Sequence, residues 1–292
     1  MKLSRVAAVA AVSTLGLSVP ASATHSWGGY HWARTTTGAL TLDVLTSNSA
    51  YWESSIAASI SEWNTPVVGG APDVLTLRRQ ASTANPKRCN PVAGKVLVCN
   101  YTYGQRGWLG IASIWLSNGH ISQATTKLND SYYQPGSRYD TPAWRNLVAC
   151  QEVGHDFGLA HQDEDFYNPN LGTCMDYTSD PTGTAGTNGT KNNEQPNYHD
   201  YEEIGIIYNH ADSFNSAVIG AAATNFGVRE VGKAVAPGLS SEGIGDSPAE
   251  WGRAVHRDSL GRPDVYIKDL GNGHKAITHV FWTLETKRHE IE

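Results

Sequence analysis

The most informative part of the sequence reads Cys150-Gln151-Glu152-Val153-Gly154-His155-Asp156-Phe157-Gly158-Leu159-Ala160-His161, and Cys174-Met175-Asp176-Tyr177 follows it. A helix places Gln151 and His155 on one face, about one turn apart. Gly158 accepts a positive φ without steric penalty, so the helix can end there and the chain can bring His161 to the same point. Three convergent side chains leave one open tetrahedral position, which is typical of a catalytic zinc. Glu152 can reach a water in that position and accept its proton.

This segment resembles the motif of the metzincin zinc peptidases, H-E-x-x-H-x-x-G-x-x-H followed by a Met-turn. Here it reads Q-E-V-G-H-D-F-G-L-A-H. The order of expected elements over residues 39–211 is also similar to a matrixin- or astacin-like catalytic domain: strand, long helix, strands, Asn-Gly hairpin, active-site helix, Met-turn and final helix. The resemblance implies an α+β fold with a twisted mixed β-sheet. It also implies Zn²⁺ as the cofactor and a peptide or protein as the substrate.

The resemblance assigns a role to each matching residue. It makes Glu152 the general base and makes His155 and His161 zinc ligands. It places Met175 as the floor beneath the metal, and it makes Tyr177 a helper that stabilises the oxyanion of the intermediate.

The sequence departs from the motif at Gln151, where the family has its first histidine. The side-chain oxygen of glutamine reaches about as far from Cα as histidine Nε2, and both ligands are neutral, so the charge of the site is unchanged. An amide oxygen suits Ca²⁺ or Mg²⁺ better than Zn²⁺, so zinc affinity should fall. We expect Gln151 to ligate zinc weakly. In one alternative Gln151 only hydrogen-bonds and the site is inactive; in another, Asp163 or His199 supplies the missing ligand.

The N-terminal residues predict a signal peptide over residues 1–23. Lys2 and Arg5 give a positive start, residues 6–19 are weakly apolar, and Ala21-Ser22-Ala23 is a small-residue cleavage site. Export leads to an oxidising compartment in which disulfides persist, so we expect a secreted, extracellular protein.

The four cysteines allow three pairings. Proximity in the sequence favours Cys89–Cys99 and Cys150–Cys174. A cysteine-based zinc site is disfavoured because it needs close paired spacings, which this sequence lacks.

The charge and composition of the chain narrow the classes of partner that it is expected to bind. The chain has 292 residues, of which 17% are charged, and its formal net charge is −6. This acidic balance argues against nucleic acid as a partner. After the leader, no apolar run approaches the ~20 residues of a membrane-spanning helix. We expect a monomer without membrane contact after signal cleavage.

Changes in composition and stretches that contain Gly and Pro divide the chain into five expected segments. These are the signal peptide (1–23), an N-terminal arm (24–38), the metallopeptidase-like domain (39–211), an irregular linker (212–250) and a small C-terminal β-meander (251–292). Helices are expected over residues 49–63, 142–160 and 200–208, and Asn118-Gly119 predicts a hairpin turn. Residues 120–128 are expected to form an edge strand that pairs with an extended peptide. His279 shows no ligand spacing and is expected to be a core or surface residue.

Two functions are compatible with this sequence. The first is a secreted zinc-dependent endopeptidase, and the second is a catalytically inactive module that binds peptides or proteins on the same scaffold. The two differ in whether cleavage depends on Glu152.

Overall fold

The computed structural model describes residues 25–186, 189–218 and 240–291, so the expected signal peptide lies outside the described residues. Regular elements up to residue 129 are the strands β1 (His31–Trp32), β2 (Leu40–Ser47), β3 (Leu75–Ala81), β4 (Lys95–Tyr101), β5 (Trp108–Ser117) and β6 (His120–Asn129), with helix α1 (Glu53–Asn64) between β2 and β3. The later elements are the helices α2 (Pro142–His155), α3 (Tyr198–Ile207) and α4 (Pro248–Trp251), and the strands β7 (Arg253–Arg257), β8 (Pro263–Gly271) and β9 (His274–Trp282).

All the named strands join one nine-stranded mixed sheet in the order β3-β2-β4-β6-β5-β9-β8-β7, and β1 pairs with β6. The strands β2, β3, β4 and β6 run parallel to one another, whereas β5 and the C-terminal strands pair antiparallel. The expected α+β class is therefore confirmed. The prediction that residues 120–128 form a sheet edge is wrong, because β6 pairs with β4 on one side and with β5 on the other.

The active-site helix begins where the sequence provides a cap. The side chain of Thr141 accepts a hydrogen bond from the backbone N–H of Trp144 at 3.2 Å, and Pro142 occupies the first turn. The helix ends at His155 rather than at residue 160, because the next residues form a tight turn in which the Gly158 amide donates to the His155 carbonyl at 3.0 Å. Gly158 has a φ of +98°, and a Cβ there would collide with the carbonyl oxygen of Tyr30. Gly158 thus ends the turn, and its lack of a Cβ leaves room for the N-terminal arm.

Two apolar clusters cover the two faces of the sheet. Helices α1 and α2 pack together on one face, over a large core that includes Trp52, Trp63 and Leu147. A second cluster lies on the other face and includes Trp108, Trp251 and Trp282. Because side chains alternate along a strand, the odd-numbered residues at positions 277–281 of β9 face α2.

Two disulfide bonds link parts of this fold. Cys89 is bonded to Cys99, and Cys150 at the active-site helix is bonded to Cys174, the residue before Met175. Within the described ranges, no helix is long and apolar enough to cross a membrane.

Candidate metal centre

Two histidines from the motif face each other after the helix ends. His155 Nε2 and His161 Nε2 are 3.0 Å apart. The other ring nitrogen of each residue is already engaged: His155 Nδ1 lies 2.7 Å from the carbonyl oxygen of Leu159, and His161 Nδ1 lies 3.3 Å from a carboxylate oxygen of Glu164. A carbonyl and a carboxylate can only accept, so both Nδ1 atoms carry the hydrogen and both Nε2 atoms present lone pairs. Two lone pairs that face each other require a proton or a cation between them.

A third histidine, which sequence reasoning missed, completes this cluster. His279 on β9 brings a ring nitrogen within 4.8 Å of those of His155 and His161, and its ring stacks on His155 with centroids 4.1 Å apart. His279 is buried, as expected of a core residue, and it also lies among candidate metal ligands, which the sequence did not predict. Neither spacing nor a local motif connects β9 to the helix. Only the alternation along β9, which puts residue 279 on the same face as 277 and 281, pointed to this location.

The substituted position, Gln151, is fully buried on the same helix. Its Nε2 donates to the carbonyl oxygen of Cys174 at 2.8 Å, whereas its Oε1 has no hydrogen-bond partner in the described ranges. The other two candidates for a missing ligand lie elsewhere: Asp163 accepts from the Asp165 amide at 2.7 Å, and His199 lies 3.3 Å from Glu202. An unpartnered buried amide oxygen is the kind of group that a ligand would satisfy.

Glu152 is also fully buried; the backbone N–H of Ala112 lies close enough to its carboxyl group to lower its pKa, but neither carboxylate oxygen has a partner at full hydrogen-bond geometry among the described residues. Its side chain lies against β5, where a Cβ on Gly110 would come within 2.7 Å of the carboxylate. The next residue on that face of β5, Ala112, pairs across the sheet with His279. Glu152 and the histidine cluster therefore meet beside one short stretch of β5.

Met175 packs against the active-site helix, and Tyr177 packs against His161. A Cβ on Gly154 would come within 2.7 Å of the Met175 sulfur, so this methionine packs directly against the active-site helix. The Tyr177 ring lies 4.2 Å from the His161 ring, and its hydroxyl is 3.4 Å from both a carboxylate oxygen of Asp264 and the carbonyl oxygen of Val280. The hydroxyl is thus engaged by β8 and β9.

Burial governs the electrostatics of the site. Desolvation, and then the neighbouring rings of His279 and His161, hold the pKa of His155 well below its usual range. Desolvation likewise lowers the pKa of His279, so both rings are neutral, the state in which imidazole binds a metal. Desolvation, followed by the nearby carboxyl group of Asp156, raises the pKa of Glu152 well above its usual range. A divalent cation next to this carboxyl group would oppose that shift.

The two histidines are spaced as two ligands of one metal ion would be. In a tetrahedral site with Zn–N bonds of about 2.05 Å, two ligand nitrogens lie roughly 3.3 Å apart. The observed 3.0 Å between His155 and His161 needs only a small outward adjustment to match. Each of the two rings also donates its Nδ1 hydrogen to an oxygen acceptor, the arrangement that orients metal-ligating histidines. Either His279 or the Gln151 oxygen could supply a third ligand.

Comparison of the chain with models of known protein families finds no match, and comparison with curated proteins also finds none.

Proposed function

We propose that this protein is a secreted zinc-dependent endopeptidase with a metzincin-like domain, and that its C-terminal strands hold the cleft closed. One observation carries the proposal: the lone pairs of His155 and His161 face each other at 3.0 Å, beside the stretch of β5 against which the buried Glu152 packs. Buried polar atoms in a folded core are normally paired, so unpaired ones that face each other indicate a ligand. The mixed sheet, the long helix α1 and the capped helix α2 agree with the element order of the resemblance.

In this proposal His155 and His161 hold the metal, with His279 or Gln151 as the third ligand. When bound, zinc would polarise the substrate carbonyl and make a coordinated water more acidic. Glu152 is the group that takes the proton from that water and returns it to the leaving amine. The flanking hydrogen bonds to Leu159 and Glu164 keep both imidazoles in one tautomer and orientation.

The C-terminal strands explain why the centre is closed. An extended peptide binds a protease-like cleft by pairing its main chain with an open strand. Here β9 pairs with β5 from Trp108 to Leu116, so the strand beside Glu152 has no open edge. The proposal therefore requires β9 to move away before a substrate can enter, and that movement would also release the Tyr177 hydroxyl from Asp264 and Val280.

Secretion belongs to the same proposal. Two disulfide bonds are compatible with an oxidising compartment. N-terminal sequencing of the protein recovered from its producing cells tests this part: a start near Thr24 supports it, and an intact Met1 or Lys2 start contradicts it.

Cleavage of an unfolded protein by the full chain with added zinc tests the catalytic part. We expect chelator-sensitive cleavage that Glu152→Gln reduces by more than ~100-fold while zinc remains bound. Ile277→Ala, which weakens the packing of β9 without removing a candidate ligand, should increase cleavage if β9 blocks the cleft, and His274→Ala on the same strand is the control. Zinc-bound parent and Ile277→Ala proteins that both fail to cleave would refute the peptidase proposal.

The complete burial of the centre favours a second candidate, a non-catalytic module that binds peptides or proteins. Closed coordination is typical of structural zinc, whereas catalytic sites keep one position open. In that case His279→Ala should lower both zinc content and thermal stability, no variant should cleave, and an unlabelled peptide library should still compete for a bound fluorescent peptide. Cleavage that disappears in Glu152→Gln would exclude this candidate.

A further inference from the structure

We propose that His31, His210 and Asp212 form a second site for a divalent cation, with zinc as the ion that their chemistry favours. These residues, together with His120, are called the arm cluster here. The cluster lies where the N-terminal arm meets the end of the domain, and it shares no residue with the candidate centre at His155. The arm cluster can bind a cation whether or not the chain is a peptidase.

Three separate segments build the arm cluster. His31 belongs to β1 and pairs in parallel register with His120, the first residue of β6. His210 and Asp212 follow helix α3. The backbone joins these segments as well: the Asp212 amide donates to the Arg34 carbonyl at 2.6 Å, and the Arg34 amide donates to Asp212 Oδ2 at 2.9 Å. Asp212 Oδ1 is thereby directed to the histidines.

The ring nitrogens of this cluster have assigned roles. His31 Nδ1 lies 2.8 Å from the Gly29 carbonyl oxygen; because a carbonyl only accepts, this Nδ1 carries the hydrogen and Nε2 can present a lone pair to a cation. His120 has an acceptor beside each ring nitrogen, with the Asn118 carbonyl oxygen 3.0 Å from Nδ1 and Asp212 Oδ1 3.1 Å from Nε2, so its ring is placed to donate to Asp212 rather than to bind the cation. A histidine that donates Nδ1–H to a backbone carbonyl is oriented as metal-ligating histidines are.

The remaining acceptors converge. His31 Nε2 is 3.0 Å from His210 Nε2, and each of these two atoms is 3.5 Å from Asp212 Oδ1. Zinc with bonds of about 2.05 Å at tetrahedral angles separates its ligand atoms by roughly 3.3 Å, so all three distances lie within a few tenths of an ångström of that value. Two imidazoles and a carboxylate are a donor set that suits zinc. The set leaves one position for water.

His120 has a supporting role. Its Nε2 is 3.1 Å from Asp212 Oδ1, the same oxygen that faces the other two histidines, but it falls outside the group whose ligand atoms are mutually close. We assign it as a positioning residue for the carboxylate. Removing such a partner lowers metal affinity about 10- to 100-fold without abolishing binding.

The inner residues of the arm cluster are largely shielded from solvent. The side chains of Asp212 and His31 are 9% and 11% exposed, whereas His210 is 49% exposed and closes the cluster from the solvent side. Bound zinc, measured directly, distinguishes a cation site from a cluster held together by hydrogen bonds alone.

The test measures zinc bound to the full chain at pH 8 by equilibrium dialysis and elemental analysis. A His155→Ala/His161→Ala variant removes the other centre, so one equivalent of zinc should remain in it. Adding His210→Ala, a half-exposed position, should remove that equivalent, while adding His289→Ala at an exposed C-terminal position should not. Circular dichroism checks that each variant is folded.

Spectroscopy gives a second readout. Cobalt in the His155→Ala/His161→Ala variant should show the intense visible absorption of tetrahedral coordination, and His120→Ala should weaken binding about 10- to 100-fold while it keeps that spectrum. Zinc should also slow proteolysis of the N-terminal arm. The proposal is overturned if His155→Ala/His161→Ala binds no zinc at pH 8, or if the zinc it binds is unaffected by His210→Ala and by Asp212→Asn.

Discussion

Replacing Asp176 by asparagine should stabilise the protein, and the gain should grow as the pH rises. Asp176 follows Met175 and is fully buried. Its Oδ2 accepts from the Leu171 amide at 2.7 Å and from the Asn193 side-chain amide at 2.8 Å, whereas Oδ1 has no partner in the described ranges. Burial raises the pKa of Asp176 from 3.8 to about 6, although these two hydrogen bonds oppose the shift.

The sign and size of the effect follow from this pKa. Because the folded pKa of Asp176 lies above the unfolded value, the folded protein holds the proton more tightly than the unfolded chain does. That stability is fully present below pH 3.8 and is lost as the pH rises through about 6. At about 1.4 kcal/mol per pKa unit, ionisation of this one group costs about 3 kcal/mol at neutral pH. About 2 kcal/mol of that cost develops between pH ~4.5 and ~7.5.

Asparagine has the shape of the protonated acid and keeps one oxygen for the two donors, so Asp176→Asn should avoid this cost. Urea unfolding of parent and variant at pH 4.5 and pH 7.5, both with a chelator, measures the difference in unfolding free energy. The difference should increase by about 2 kcal/mol toward pH 7.5. The control is Asp43→Asn, because burial raises the pKa of Asp43 but its contacts with Lys95 and Arg78 lower it overall. Asp43→Asn should lose stability relative to the parent as the pH rises. A difference for Asp176→Asn that stays constant within ~0.5 kcal/mol would refute the reasoning.

Three further substitutions probe the frame of the site. Replacing both Cys150 and Cys174 by alanine opens a loop with a sequence separation of 24 residues. The free energy of unfolding, measured by denaturant titration, should therefore fall by about 3.5 kcal/mol, and an unchanged value would contradict this. Gly158→Ala collides with the arm, whereas Gly119→Ala has equally positive φ but open space around the new Cβ. Gly158→Ala should therefore lose about 2 kcal/mol more in thermal unfolding, and equal losses would contradict the collision. Thr141→Ala should cost about 1 kcal/mol by removing the cap of α2, and Thr141→Ser should restore most of it.

Local features of the fold were predictable because local chemistry determines them. The hairpin turn at Asn118-Gly119 and the start of α2 at Pro142 occur where the sequence places them. The helix end was misplaced by a few residues, because the turn before Gly158 is stabilised by the arm, which is distant in sequence. The position of β6 inside the sheet also depends on a partner outside the hairpin, because β6 pairs with β4 on the side away from β5.

The candidate site also has a part that local sequence predicts and a part that depends on distant partners. The helical spacing of Gln151 and His155 and the turn at Gly158 brought His161 back to the helix, and each step is local. His279 arrives from a strand whose register against β5 no spacing rule reveals. The arm cluster was missed for the same reason, since His31 and Asp212 are neighbours only after β1 has joined the sheet. Sequence patterns find ligands that share one element and miss those that tertiary pairing supplies.

The N-terminal arm physically connects the two candidate metal centres. Ser26 forms a bridge with Leu159, and the amide of Ala160 donates to the His25 carbonyl at 2.5 Å. Leu159 is the residue whose carbonyl fixes the ring of His155, and a few residues further along the arm His31 enters the arm cluster. A cation that restrains His31 therefore also restrains the backbone that orients His155. This shared restraint should make a cation at the arm cluster strengthen cation binding by His155 and His161. Because coupling between two binding sites is mutual, a cation held by His155 and His161 would strengthen binding at the arm cluster by the same factor.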